Sequence, residues 1–254
     1  MLDKEKIDKA VQIIKKSDNI VVFTGAGIST ESGIADFRSE DGLWSRYDPS
    51  IYANYYSFME NPSPFWEMHN SLMEDLTEAN PNPAHYAIAE LEEMGKVKAI
   101  ITQNIDMLHQ RAGSGEYQDI PIFELHGSYG TLECIKCGKE WDYREIDTTM
   151  DDYPTCDDCS GFIKPKVILF GESLPPNVME GAMNALIKAD CFILVGSSLA
   201  VTPANSLPIM AKRNNAKLIY VNKESTMMDD LADVFLKGKA SNILKELVIR
   251  LKKD

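Results

Sequence analysis

No stretch of this 254-residue chain approaches the ~20 consecutive apolar residues that a membrane-spanning helix needs. The first residues, Met1-Leu2-Asp3-Lys4-Glu5-Lys6, are charged and hold no apolar core of a secretory signal. Basic residues are in deficit: 26 Lys and Arg stand against 39 Asp and Glu, for a net charge of −13. That balance argues against nonspecific binding to nucleic acid or to an anionic membrane, and fits a basic peptide partner better. A spread of paired cysteines is also missing, because four of the 5 cysteines are clustered and Cys191 stands alone in an apolar run. These absences lead to the expectation of a cytoplasmic protein whose clustered thiols serve a metal rather than disulfides. The hydrophobic fraction of 44% is ordinary for a globular chain, so a sizeable core is available.

The chain is organised around Asn19–Arg38. Ile20–Phe23 is a short apolar run rich in β-branched residues, and it stops abruptly at Thr24-Gly25-Ala26-Gly27. A buried parallel strand enters a tight turn in this way. Gly25 and Gly27 permit a close approach of the backbone, and amides at such a turn can hold a pyrophosphate. Two parts of the usual dinucleotide fingerprint are nevertheless lacking. The third glycine is replaced by Thr30, and the acid some twenty positions on, Asp48, lies in a segment that is no strand. A glycine-rich β–α turn with no ligand therefore stays open on the motif alone. Asp36-Phe37-Arg38 adds an acid, an aromatic and a cation on an aperiodic segment, where functional side chains tend to sit.

Periodicity sets the remaining elements. Ile7, Ala10, Val11 and Ile14 predict an amphipathic helix over Asp3–Ser17. Residues 39–80 are crowded with aromatics and prolines, and a helix is expected from Pro64 with Trp66, Met73 and Leu76 inward. Asn82-Pro83 caps a helix that runs to Met94 and stops at Gly95. Strands are expected at Val97–Thr102, Ile122–Leu125, Lys166–Phe170, Cys191–Val195 and Lys217–Val221. Helices are expected to Ala112, over Val178–Ala189, before Lys217 and over Ser241–Lys252. Strands alternating with helices mean an α/β fold with a parallel sheet. Six polar clusters then fall at strand carboxyl ends: Gly25–Thr30, Gln103–Asp106, His126, Gly171–Glu172, Gly196–Ser198 and Asn222. Ligands bind open α/β sheets at that edge.

Cys134-Ile-Lys-Cys137 and Cys156-Asp-Asp-Cys159 are two C-x-x-C knuckles separated by 18 residues. The spacing suits a tetrahedral zinc held by four thiolates, which leaves no open position and makes the site structural. A reversible dithiol switch is the alternative. Among 4 histidines, His126 stands at a strand end, whereas His69, His85 and His109 lie within expected helices and read as core residues.

Taken together, Gly25-Ala26-Gly27-Ile28-Ser29, Gly33-Ile34, Asp36-Phe37-Arg38, Thr102–Asp106, Leu125-His126-Gly127, the four cysteines, Lys164-Pro165, Phe170-Gly171-Glu172, Gly196–Leu199 and Val221-Asn222 resemble the sirtuins, NAD-dependent protein lysine deacylases. The order matches over about residues 10 to 250, without flanking extensions, as in compact prokaryotic members. The resemblance implies a Rossmann-like NAD-binding domain from residues 1–38, 81–130 and 165–254. It implies a smaller domain made of a helical module (39–80) and a zinc-binding module (131–164).

It also implies residue roles. Gly25, Ala26, Thr30, Phe37 and Arg38 would line the NAD pocket, with Gln103 at the ribose hydroxyls and Asn104, Ile105 and Asp106 around the nicotinamide. Gly196, Ser197, Ser198, Asn222 and Lys223 would hold the adenosine half, with Ala240 or Ser241 at the adenine. Ile168, Phe170 and Val201 would form the acyl-lysine tunnel, and Gly171 and Glu172 its rim. His126 would be the general base and would also count among the NAD-binding residues. The implied reaction moves the acetyl group of a protein acetyl-lysine to ADP-ribose, releasing nicotinamide, O-acetyl-ADP-ribose and free lysine. Mono-ADP-ribosyl transfer, removal of longer aliphatic acyl groups, an NAD-dependent dehydrogenase and a noncatalytic zinc-bearing binding module are the competing readings.

Overall fold

Asp3 caps the first helix, α1 (Lys4–Lys16), by accepting the Lys6 N–H, and the stripe Ile7, Ala10, Val11 and Ile14 is buried. It leads into β1 (Ile20–Thr24), all five residues of which are buried. A computed structural model describes residues 3–148 and 153–253; residues 149–152 of the expected 131–164 module lie outside it. After β1 come α2 (Pro49–Tyr52), α3 (Tyr55–Glu60), α4 (Ser63–Glu78), α5 (Pro83–Glu93), β2 (Val97–Thr102), α6 (Leu108–Arg111) and β3 (Ile122–Glu124). The chain continues through β4 (Gly127–Cys134), β5 (Glu140–Asp142), β6 (Ile163–Val167), α7 (Pro176–Ile187) and β7 (Cys191–Val195). It ends with α8 (Leu207–Arg213), β8 (Lys217–Asn222), β9 (Val234–Lys237) and α9 (Ala240–Leu251).

Six strands form one parallel sheet in the order β3-β2-β1-β7-β8-β9. Counted along the chain within that sheet, this is the doubly wound order 3-2-1-4-5-6. The order reverses between β1 and β7, so the crevice where dinucleotides bind in such sheets opens at their carboxyl ends. Successive residues serve opposite faces. Ile20 and Val22 pack with α1, α5 and α9, while Val21 and Phe23 pack with α7 and α8.

Lys166–Phe170 does not extend the parallel sheet. The strand is β6, and it pairs antiparallel with β4 in a second sheet of order β5-β4-β6. An apolar run alone cannot separate a strand of a doubly covered sheet from one packed on a different cluster. Here β4 runs on directly from His126 and offers the longer partner. That second sheet packs into a third core cluster with Leu43, Phe58, Phe65, Trp66, Cys134 and Cys156. Gly171–Glu172 therefore follows the smaller sheet, and five of the six polar clusters remain at the parallel edge. Of the residues expected to face inward on α4, Trp66 and Leu76 are buried and Met73 is half-buried.

Three histidines are buried core residues. Burial holds His69 and His85 at about 4, and burial with the charge of His85 holds His109 at about 3. Each is neutral in the folded chain and takes up a proton on unfolding below its ordinary value near 6.5. The unfolded state thus binds more protons, and stability falls as pH falls from about 6.5 toward about 4. The three rings act in the same direction, and the slope steepens as their unfolded forms become protonated below about 6.5. Urea unfolding followed between pH 7 and 5 should show this steep loss, and His109→Gln should flatten it by about a third. A pH-independent midpoint across that range would contradict the neutral burial of these rings.

Candidate functional site

The turn after β1 presses on the turn after β7. Gly25 N–H donates to the Val195 carbonyl (3.1 Å) and Gly27 N–H to the Gly196 carbonyl (2.8 Å). Gly196 has φ +62°, and a Cβ there would lie 2.3 Å from the Ile28 nitrogen. The glycines are therefore explained first by loop-on-loop contact, which takes up the amides of Gly25 and Gly27. No long helix follows β1; the chain makes two short 3-10 turns, Ala26–Ile28 and Thr30–Ser32. The third glycine of the fingerprint serves helix–strand packing, so Thr30 can replace it here.

From this turn a polar network crosses the sheet edge. Asn104 Nδ2 donates to the Gly25 carbonyl (3.3 Å) and to Ser29 Oγ (3.2 Å). Ser29 Oγ donates to Asp106 Oδ2 (2.6 Å), and Asp106 Oδ1 accepts the Leu108 N–H (3.0 Å). Burial pushes the Asp106 carboxyl up, and the bonds from Ser29, Leu108 and Asn104 and the charge of Arg111 oppose that. Gln103 Nε2 donates to Ser197 Oγ (2.9 Å), and Asn222 Nδ2 donates to the Ser197 carbonyl (3.1 Å). Loops after β1, β2, β7 and β8 are thereby tied together beside the crevice.

His126 joins the network from the end of β3. Its Nδ1 lies 2.9 Å from the Gln103 carbonyl. A carbonyl oxygen can only accept, so Nδ1 carries the proton and Nε2 keeps its lone pair. Burial lowers the pKa of the ring, the Gln103 bond opposes this, and the charge of Arg38 lowers it further. The ring is thus a neutral base at neutral pH. The His126 carbonyl accepts the Ile168 N–H (2.9 Å), which joins the segment after β6 to the same strand end.

The other expected residues fall as follows. The Phe37 ring is tilted against that of Trp44 with centroids 5.1 Å apart, and Arg38 is exposed, its charge acting on His126. Ala26 and Ile105 are half-buried, while Thr30, Ser198 and Lys223 are exposed. Ala240 and Ser241 are buried at the start of α9, where the Ser241 N–H donates to Glu31 Oε2 (3.2 Å). Phe170 is 41% exposed, and its ring lies 6.2 Å from that of Trp44. Gly171 is exposed. Val201 stands outside the network, and its carbonyl accepts the Asn205 N–H (2.9 Å). The half-buried Glu172 accepts the Leu169 N–H at its carboxylate (2.8 Å) and faces Lys164. Ser29 is the member that sequence reasoning did not single out, although it lies inside the Gly-Ala-Gly-Ile-Ser turn.

The four Sγ atoms of Cys134, Cys137, Cys156 and Cys159 lie within 4.8 Å of one another, with Cys134–Cys159 at 3.5 Å and Cys137–Cys156 at 3.7 Å. Zn–S bonds of about 2.3 Å in a tetrahedron place sulfurs about 3.8 Å apart, so the donor set fits zinc. A Cβ on Gly161 would lie 2.8 Å from Cys134 Sγ, which leaves this position to glycine. Cys191 is buried in β7, where burial pushes its thiol up to about 12.

A doubly wound sheet with a polar, histidine-bearing edge and a four-cysteine appendage defines a Rossmann-like nucleotide-binding class. The Sir2 family profile matches residues 25–203. The chain is 50% identical to NAD-dependent protein deacylase 2 of Archaeoglobus fulgidus, over 98% of both chains. It is 40% identical to NAD-dependent protein deacetylase 1 of Pyrobaculum aerophilum, over 98% of this chain and 96% of that one. A solved structure described as Sir2-p53 peptide-NAD+ superposes with TM-score 0.88 at 34% identity, covering 98% of this chain and 99% of the other. The chain belongs to the Sir2 family, the sirtuins.

Proposed function

We propose that this chain is an NAD-dependent protein lysine deacetylase that transfers the acetyl group of acetyl-lysine to ADP-ribose. The observation that carries the reading is the His126 ring, oriented by the Gln103 carbonyl with Nε2 left as a base at the carboxyl edge of the parallel sheet. The polar set there suits NAD: amide and hydroxyl groups of Gln103, Asn104, Ser197 and Asn222, with Arg38 as a cation at the mouth. Asn104, Ile105 and Asp106 line the nicotinamide side, Ser197, Ser198, Asn222 and Lys223 the adenosine side, and Ala240 and Ser241 the adenine. Ile168, Phe170 and Val201 border the acyl-lysine.

When bound, NAD supplies an activated glycosidic carbon and the ribose hydroxyls that accept the acyl group. The chain excludes water, holds the reactants and takes one proton at His126 Nε2. A base near neutral pKa performs that task at cellular pH. Zinc held by the four cysteines would have no open coordination position, so it would stiffen the appendage and take no part in proton transfer. Free thiols kept for a metal suit a reducing compartment such as the cytoplasm.

Residues 1–38, 81–130 and 165–254 are proposed as the NAD-binding unit, with 39–80 and 131–164 as the smaller one. The separate aromatic cluster of the smaller unit supports this division, although β4 and β6 run across two of its boundaries.

Nicotinamide release measured with and without an acetylated peptide tests the function. Release that requires the peptide and yields free lysine supports deacetylation. Release without it, with label transferred to protein, supports ADP-ribosyl transfer. For the metal, native mass spectrometry should find one zinc per chain, and Cys156→Ala should unfold or aggregate the protein. A metal-free, fully active chain would end the structural-zinc proposal.

A further inference from the structure

Lys164 is the most deeply buried cation among the described residues, at 2% exposure, and nothing in the proposed chemistry uses it. It sits on β6 opposite Glu133 of β4 as a cross-strand pair. Its Nζ donates to the Val167 carbonyl (2.9 Å) and to the Pro165 carbonyl (3.3 Å). It also lies 3.4 Å from Glu133 Oε1 and 3.5 Å from Glu172 Oε2. A buried ammonium survives when it is paired and hydrogen-bonded, and four oxygens surround this one.

Both ends of this cluster reach the segment that borders the proposed substrate. Glu172 Oε2 accepts the Leu169 N–H (2.8 Å), and the Glu172 N–H returns to the Leu169 carbonyl (3.0 Å). The turn 169–172 is therefore closed twice, once by backbone and once by a carboxylate that Lys164 holds. Within the turn, Phe170 N–H donates to the Ala53 carbonyl (2.8 Å), and the Phe170 carbonyl accepts the Tyr55 N–H (2.9 Å). At the other end, the Val167 carbonyl bound by Lys164 precedes Ile168, whose N–H reaches the His126 carbonyl (2.9 Å).

We propose that Lys164 is a positioning residue which, through Glu172 and the Val167 carbonyl, fixes the acyl-peptide-binding segment 168–172 relative to His126. Glu172 then acts inward, as the strut of the turn, and not as a substrate contact. The proposal rests on the deacetylase reading, which makes 168–172 the edge of the substrate cleft. Neither Lys164 nor the Glu172 carboxylate bonds a residue assigned to NAD, so the two ligands should respond differently.

The test measures binding of a fluorescent acetyl-lysine peptide by anisotropy, together with KM for peptide and for NAD, in wild type, Lys164→Met, Lys164→Arg and Glu172→Gln. Lys164→Met should weaken peptide binding at least tenfold, with the KM for NAD changed less than twofold. Lys164→Arg, which keeps the charge and the donors, should recover most of the loss. Glu172→Gln keeps the acceptor for the Leu169 N–H, loses the ion pair and should weaken peptide binding about threefold. A folded Lys164→Met chain with wild-type peptide binding, or an equal loss for peptide and NAD, overturns the proposal. If Lys164→Met does not fold, unchanged peptide binding in Glu172→Gln overturns it. Wild-type protein that neither binds nor deacetylates the peptide would instead overturn the deacetylase reading.

Discussion

Replacing His126 with alanine is expected to lower deacetylation by about 10²–10⁴-fold, the range for loss of a positioned general base. NAD affinity should change little, because the base is not a main source of ground-state binding and the network of Gln103, Asn104, Ser197 and Asn222 remains. The side chain acts through Nε2, because the Gln103 carbonyl fixes the proton on Nδ1. pH should report the same group. Burial and Arg38 lower the His126 pKa against the Gln103 bond, so the neutral form persists below the ordinary value near 6.5. kcat/KM should therefore rise with pH and level off with a midpoint below about 6.5, and Arg38→Gln should move that midpoint upward. Wild-type turnover in His126→Ala would remove the residue from the mechanism. A midpoint above 6.5 would remove the burial argument.

How far the sequence reveals this site depends on where each partner lies. β1, β2, β7 and β8 are short, apolar and bounded by glycine or polar residues, and each is visible in a local window. His126 is visible because it ends such a strand. β9 is not, because Val234–Lys237 is only four residues long and sits at the sheet edge beside β8. The swing of β6 into the smaller sheet is hidden for a different reason: burial on both faces looks the same in sequence whichever sheet supplies it. The contacts of Ser29 and Lys164 are hidden for a third reason, although both residues lie inside the quoted motifs. The partner of Ser29, Asp106, is 77 positions away, and Glu133 is 31 positions from Lys164. Polar satisfaction of this kind is a tertiary property. Motif resemblance places Glu172 at the tunnel rim, and the long-range contact it cannot reveal is the approach of Lys164 to the Glu172 carboxylate.

On a common peptide, succinyl-lysine should be a much poorer substrate than acetyl-lysine, by about 10²-fold in kcat/KM if the penalty is about 3 kcal/mol. The sirtuin resemblance implies that a preference for acidic acyl groups goes with a Tyr-x-x-Arg pair on the helix of the smaller domain; placed by Asn61-Pro62 and Trp66-Glu67, those positions would be His69 and Leu72 here. His69 cannot take over the task. It is 6% exposed, stacked on Phe65 with centroids 5.6 Å apart, and burial holds it neutral at about 4. Leu72 is packed against the same aromatic cluster. Across residues 39–80 the one cation is Arg46, and it is exposed beside the Tyr47 ring, 5.9 Å from its centroid. In the proposed tunnel beside Ile168 and Phe170, a succinyl carboxylate would lose its water without gaining a buried partner, whereas an acetyl or butyryl group would bring only apolar surface. The relative that is 50% identical is named a deacylase and the one that is 40% identical a deacetylase, so acyl preference is the property on which the two names differ. Measuring kcat/KM on acetyl, butyryl and succinyl versions of one peptide decides it. A succinyl value at or above the acetyl value would require a cation in the tunnel, and Arg46→Gln would then identify whether that side chain swings in to supply it.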